Sequence, residues 1–164
     1  MATTTADLVR TSIDLPESTR AQVIELLNAR LADTLALKTH AKQAHWNVKG
    51  KDFFQLHELF DEVATHLEAD IDLIAERVTA LGGVARGSVH QAANATTIED
   101  YRLGAAGGED HLRELVKRMA SYGAQVRQGI DRCADAGDQS SADLLTEISR
   151  EVDKDLWFLE AHLQ

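Results

Sequence analysis

A chain of 164 residues with 27 acidic against 17 basic side chains carries a formal net charge of -10, which fits one domain that repels polyanions and attracts cations. Its single proline, its aromatic share of 5% and its abundance of Ala and Leu suit helices over sheets, so an all-α protein is expected. A lone Cys133 excludes an internal disulfide, and no apolar run approaches the ~18 residues of a membrane span.

Residues 1–15 hold three consecutive threonines and little apolar periodicity, and read as a flexible N-terminal arm ahead of a single domain over 16–164. The arm has no basic-then-apolar leader pattern, so a cytoplasmic protein is expected. Pro16 suits the first turn of helix one, which runs to about Trp46 and stops at Asn47 to Gly50, where Gly50 supplies a left-handed residue. Helix two, Phe53 to Leu81, places Leu56, Phe60, Val63, Leu67, Ile71, Ile74 and Val78 at steps of three and four. Gly82 and Gly83 end it. The stretch from Val84 to Gly108 has four more glycines and reads as a long crossover carrying a short helix at Thr97 to Leu103.

Helix three, about Glu109 to Ala136, and helix four, about Ser140 to Leu163, repeat the amphipathic pattern, and Cys133 falls in an apolar stretch as an ordinary buried thiol. Two helical hairpins joined by one long crossover make the ferritin-like form of the four-helix bundle.

Helix two bears a second stripe, His57, Asp61, Asp72 and Glu76, in which each neighbouring pair is one turn apart. The two pairs share a face but lie ~16 Å apart along the axis, too far to share one ion. The pairings 57 with 76 and 61 with 72 have a common midpoint between His66 and Leu67. Two copies of the helix, antiparallel about a two-fold there, would face His57 with Glu76 and Asp61 with Asp72. This makes two sites about 22 Å apart, each with one imidazole and three carboxylates, a set suited to iron. The same stripe reads equally as a solvated face, since Glu62, Glu68 and Asp70 supply many other carboxylates. The Glu-x-x-His motif of bundle-core di-iron sites is absent, which argues against iron in the middle of one subunit.

The run His45-Trp46-Asn47-Val48-Lys49-Gly50, then Phe53-Phe54, His57-Glu58, Asp61, Asp72 to Arg77 and Leu81-Gly82-Gly83, with the ending Asp153 to Glu160, resembles the signature of the Dps family. These mini-ferritins belong to the ferritin-like superfamily and are named as DNA-binding proteins from starved cells. The resemblance runs from Pro16 to Leu163. It implies a dodecameric cage that oxidises ferrous iron, with hydrogen peroxide favoured over dioxygen, and stores the ferric mineral, protecting the cell from oxidative stress. It implies ferroxidase ligands His45, His57 and Asp61 from one subunit and Asp72 and Glu76 from its partner; zinc or another divalent ion suits the same donors. Trp46 and Trp157 match tryptophans kept near that site, and interface packing explains them as well. Asp143 matches a pore-lining aspartate, while Asp135 and Asp138 beside it read as surface charge. No role attaches to His40, His66, His90, His111 or His162.

The alternative is a DNA-compacting stress protein, associated with the nucleoid, in which oxidation is secondary. Against direct DNA contact, the arm sets one basic side chain, Arg10, against Asp7 and Asp14, and phosphate binding needs clustered cations.

Overall fold

The computed structural model describes residues 8–105 and 107–164, and among these it contains five helices and no strands. α1 spans Glu17–Asn47, α2 Phe53–Ala80, α3 Val89–Ala95, α4 Gly108–Asp135 and α5 Gln139–Ala161. α1 packs on α2 and α4 on α5 as two hairpins, and contacts of α1 with α4 and of α2 with α5 close them into the expected four-helix bundle. The crossover between α2 and α4 lays α3 against α1. No helix of the described residues is long and apolar enough to cross a membrane.

Two glycines fix how the first hairpin begins and ends. Gly50 adopts the left-handed φ of +112° that the loop before α2 requires. Gly82 has φ +88°, and a Cβ there would stand 2.4 Å from the Val9 carbonyl oxygen. That clearance lets the chain before α1 lie against the end of α2, where the Val9 amide donates to the Gly82 carbonyl at 2.8 Å. Leu8 and Leu15 pack on the core beside it. Residues 8–15 are therefore docked, although their sequence reads as loose; residues 1–7 of the expected arm lie outside the described residues.

α2, α4 and α5 each bury one apolar stripe, such as Leu56, Phe60, Val63, Leu67, Ile74 and Val78 on α2. α1 differs because α2, α3 and α4 surround it, so it buries residues on several sides, including Asn28, Asp33, Thr34 and His40. Two of them, Asn28 and Asp33, satisfy the backbone of the crossover. Asn28 donates to the Val84 carbonyl at 3.1 Å and accepts from the Arg86 amide at 2.8 Å. Asp33, wholly buried, accepts from the Thr97 amide at 2.6 Å and the Thr96 hydroxyl at 2.9 Å and pairs with Arg30 at 2.8 Å. Thr34 shares a 2.6 Å hydrogen bond with the fully buried Tyr122 of α4.

The short helix of the crossover lies at Val89–Ala95 and not at 97–103. Ser88 and Gln91 form a capping box that starts it: the Ser88 hydroxyl accepts from the Gln91 amide, and the Gln91 side chain accepts from the Ser88 amide. Residues 97–103 are held irregular because other side chains take their backbone groups. Asp33 takes the Thr97 amide, and Arg118 of α4 donates to the carbonyls of Glu99, at 2.9 Å, and of Asp100. Cys133 is buried as expected, and burial pushes its thiol up to about 11.

Asp33→Ala removes a buried acceptor and leaves Arg30 and the Thr97 amide unpaired. The expected loss is about 3 kcal/mol in chemical denaturation, with amide exchange accelerated around Thr97; unchanged exchange there would show that Asp33 does not hold the crossover.

His40 is buried against Tyr101, with ring centroids 5.5 Å apart, and burial followed by the charge of Arg118 lowers its pKa from 6.5 to about 4. Folded His40 therefore binds fewer protons than unfolded His40 between those values, so its contribution is intact above pH 6.5 and lost as pH falls towards 4. Thermal melts of His40→Gln should fall less steeply than the parent's across that window, by up to about 1.4 kcal/mol per pH unit.

Candidate metal centre

The last turn of α1 and the first two turns of α2 meet at the loop closed by Gly50, and this brings His45 onto His57. The two imidazoles stack with centroids 3.7 Å apart and planes 21° apart. Nδ1 of His45 bonds the His57 carbonyl oxygen at 2.8 Å, and Nδ1 of His57 bonds the His45 carbonyl oxygen at 2.9 Å. A carbonyl oxygen only accepts, so both Nδ1 atoms carry the proton and both Nε2 lone pairs are free for a metal ion. The same two bonds fix the ring orientations, which is what outer partners do for metal-ligating histidines. Phe53, one turn before His57, packs on its ring at 5.1 Å.

Asp61 lies one turn beyond His57, half exposed. Its carboxylate accepts from the Lys42 ammonium on α1, and this bond, aided by the Lys42 charge, holds Asp61 below the usual carboxylate range. A cation already sits against Asp61, which suits the position to one.

Asp72 and Glu76 are exposed on the same helix and make no side-chain hydrogen bond or ion pair among the described residues. α2 is unbroken from Phe53 to Ala80, so these two carboxylates stay ~16 Å from the first group along the axis. The fold thus gathers His45, His57 and Asp61 and leaves Asp72 and Glu76 apart. The side chains Asp61, Thr65, Glu68, Asp72 and Glu76 follow one another at steps of three and four along an exposed or half-exposed stripe, where Lys42 and Lys38 of α1 reach Asp61 and Glu68.

Large apolar side chains stand exposed around the histidine pair: Trp46 is 66% and Phe54 70% accessible. Trp157, near the end of α5, is 61% accessible and packs on Phe158 at 5.0 Å, with no ring contact to His45 or His57. Single subunits rarely expose so much aromatic surface unless a partner covers it.

The expected acidic patch at the α4–α5 turn divides in two. Asp143 is exposed on the second turn of α5 and Asp135 is exposed at the end of α4. Asp138 is buried, not surface charge: it caps α5 by accepting from the Ser141 amide at 3.0 Å and pairs with Arg77 at 2.8 Å. Arg77 also donates to the Ser141 hydroxyl at 2.8 Å, so the turn carrying Glu76 is tied to the start of α5.

A further group of titratable side chains lies between α2 and α5. His66 points away from the exposed stripe, into α5, where its Nδ1 lies 3.0 Å from Asp155 and 3.4 Å from Glu151. Asp70, one turn on, is buried, and burial together with the charges of Glu151 and Asp155 raises its carboxyl to about 7. The signal was present: Asp70 falls between Leu67 and Ile74, and Asp155 between Val152 and Leu159, at the three- and four-residue steps of the core stripes.

Residues 24–164 match the family described as Ferritin-like domain. A DNA protection during starvation protein of Agrobacterium fabrum is 43% identical over 155 residues, covering 94% of this chain and 96% of its own. DpsC from Streptomyces coelicolor superposes with a TM-score of 0.92 at 31% identity, over 100% of this chain and 96% of that one. The Dps protein of Vibrio cholerae, described as a member of a broad superfamily of ferritin-like diiron-carboxylate proteins, gives 0.88 at 28% identity, over 100% and 98%. With its two helical hairpins and long crossover, and a histidine pair at the foot of α2, this chain belongs to the Dps family within the ferritin-like superfamily.

Proposed function

We propose that this protein is a ferroxidase and iron-storage protein whose oxidation sites are completed by a second copy of the chain. The observation that carries this is the His45–His57 pair: two imidazoles held by each other's backbone, both Nε2 atoms free, one turn from Asp61. Two neutral nitrogens and a carboxylate suit ferrous iron and leave room for ligands from elsewhere. Asp72 and Glu76 are uncommitted on the same exposed stripe, and an antiparallel partner α2 brings its own pair to this end. Thr65 and Ala69 are small enough to let the two helices approach near the two-fold, and Trp46 and Phe54 would lose their exposure against the partner.

Ferrous iron enters as substrate. Two ferrous ions each give one electron to hydrogen peroxide, the O–O bond breaks, two protons are taken up, and two waters and two ferric ions result. Pairing the electrons avoids the hydroxyl radical that a single electron would release. Carboxylates favour the ferric product by their charge, and the histidines set the geometry. The ferric product is stored as mineral inside a closed assembly of subunits, a dodecamer in this reading, with Asp143 lining an entry pore. Zinc is a plausible competitor for the same donors rather than a cofactor.

The relatives' name refers to DNA protection. We ascribe such protection here to removal of ferrous iron and peroxide, because the net charge is -10 and Arg10 stands beside Asp14 in the segment before α1. A gel-shift titration at low salt should give no stoichiometric complex with duplex DNA; a tight one would favour the DNA-compacting reading.

The shared site is tested with two variants, His57→Ala/Asp61→Asn and Asp72→Asn/Glu76→Gln. Each alone should lose ferroxidase activity. A mixed dimer regains one intact site of two, so an equimolar random mixture should recover about a quarter of the parent's rate. No recovery in mixed dimers that assemble normally would refute sharing. With the parent protein, two ferrous ions should be consumed per peroxide, and a spin trap should report less hydroxyl radical than with iron and peroxide alone.

A further inference from the structure

His66, Glu151 and Asp155 lie between α2 and α5 of a single subunit, and one donor atom from each falls within 4.8 Å of the others. The floor of this cluster is closed and its mouth is open. Asp155 is 2% accessible and Asp70 6%, whereas Glu151 and Glu62 reach solvent. His66 Nδ1 faces both oxygens of Asp155, at 3.0 and 3.2 Å, and Glu151 at 3.4 Å; its Nε2 is 4.0 Å from Glu62. Lys154 approaches Glu151 only from outside, at 3.9 Å.

One imidazole does not satisfy this many carboxylates. Asp70 Oδ2 is fully enclosed and has no hydrogen-bond partner, and its carboxyl is near enough to Glu151 and Asp155 to feel their charge. Asp70 and Asp155 both occupy core-stripe positions, where an apolar residue would pack without cost. Burying several carboxylates around one histidine is expensive unless protons or a further cation compensate them.

We propose that this cluster is a second metal site, built within one subunit, which takes a divalent transition-metal cation such as ferrous iron through His66, Glu151 and Asp155. The three donors span the width of a coordination sphere, and the cation takes the place of the proton on Nδ1 between the two carboxylates. Asp70 closes the inner side as a positioning residue whose free oxygen faces the bound charge. The donor set of one nitrogen and several carboxylate oxygens suits iron, manganese or zinc. The site does not depend on a partner copy, so it holds metal whether or not the inter-subunit reading is right.

Zn2+ serves as the probe, since it does not change oxidation state. Crystals of the full chain soaked in Zn2+ should give an anomalous peak about 2.0–2.3 Å from a His66 ring nitrogen and from oxygens of Glu151 and Asp155. In solution the His57→Ala/Asp61→Asn variant, which removes the other site, should still bind one Zn2+ per subunit at equilibrium dialysis. Adding Glu151→Gln and Asp155→Asn should abolish that ion or weaken it at least tenfold. If the added substitutions unfold the chain, the diffraction of the unsubstituted protein decides. No peak at the cluster, or binding unchanged by the substitutions in a folded protein, would mean that His66 and Asp155 are an ion pair only and would overturn the proposal.

Discussion

A helix advances 1.5 Å per residue, and eleven residues of unbroken α2 separate Asp61 from Asp72. The rest of the molecule is arranged around that spacing. Nothing interrupts α2 between Phe53 and Ala80, so its two donor pairs, His57 with Asp61 and Asp72 with Glu76, cannot converge within one subunit. The inward face of the same helix supplies much of the core, so the helix cannot bend to bring them together without losing Leu67 and Ile74 from it. Rigidity therefore makes the proposed iron site depend on a second chain.

α1 completes the proposed half-site and organises the crossover. Its C-terminal turn carries His45 to His57, and Lys42 one turn earlier reaches Asp61. Its middle, enclosed by neighbours on several sides, replaces apolar packing with Asn28, Asp33 and Thr34, each bonded to the crossover or to α4. A long connection without regular structure needs partners for its amides and carbonyls, and a buried polar helix face provides them.

The two faces of α2 treat charge differently. On the outer face Asp61 is stabilised by an ammonium, and Asp72 and Glu76 remain solvated and available. On the inner face Asp70 and Asp155 are withdrawn from water beside a single imidazole, and burial raises both carboxyls. At the end of the helix, Asp138 shows a buried aspartate fully satisfied, by Arg77 and by the start of α5. Comparison with Asp138 makes the orphaned oxygen of Asp70 stand out.

The helices, their order, the long crossover and the stripe His57, Asp61, Asp72, Glu76 were legible in the sequence, because helical periodicity and glycine stops are local properties of the chain. His45 entered only through the family resemblance: a single histidine at a helix end has no period, and its contact with His57 arises from the fold of the loop at Gly50. The short helix of the crossover starts at the capping box of Ser88 and Gln91 and not at 97, because the pull of Asp33 and Arg118 on residues 97–101 is a tertiary effect. His66 showed its helix face in the sequence, but not that α5 would set Glu151 and Asp155 against it. Spacing along one helix fixes which side chains share a face; only packing decides what that face meets.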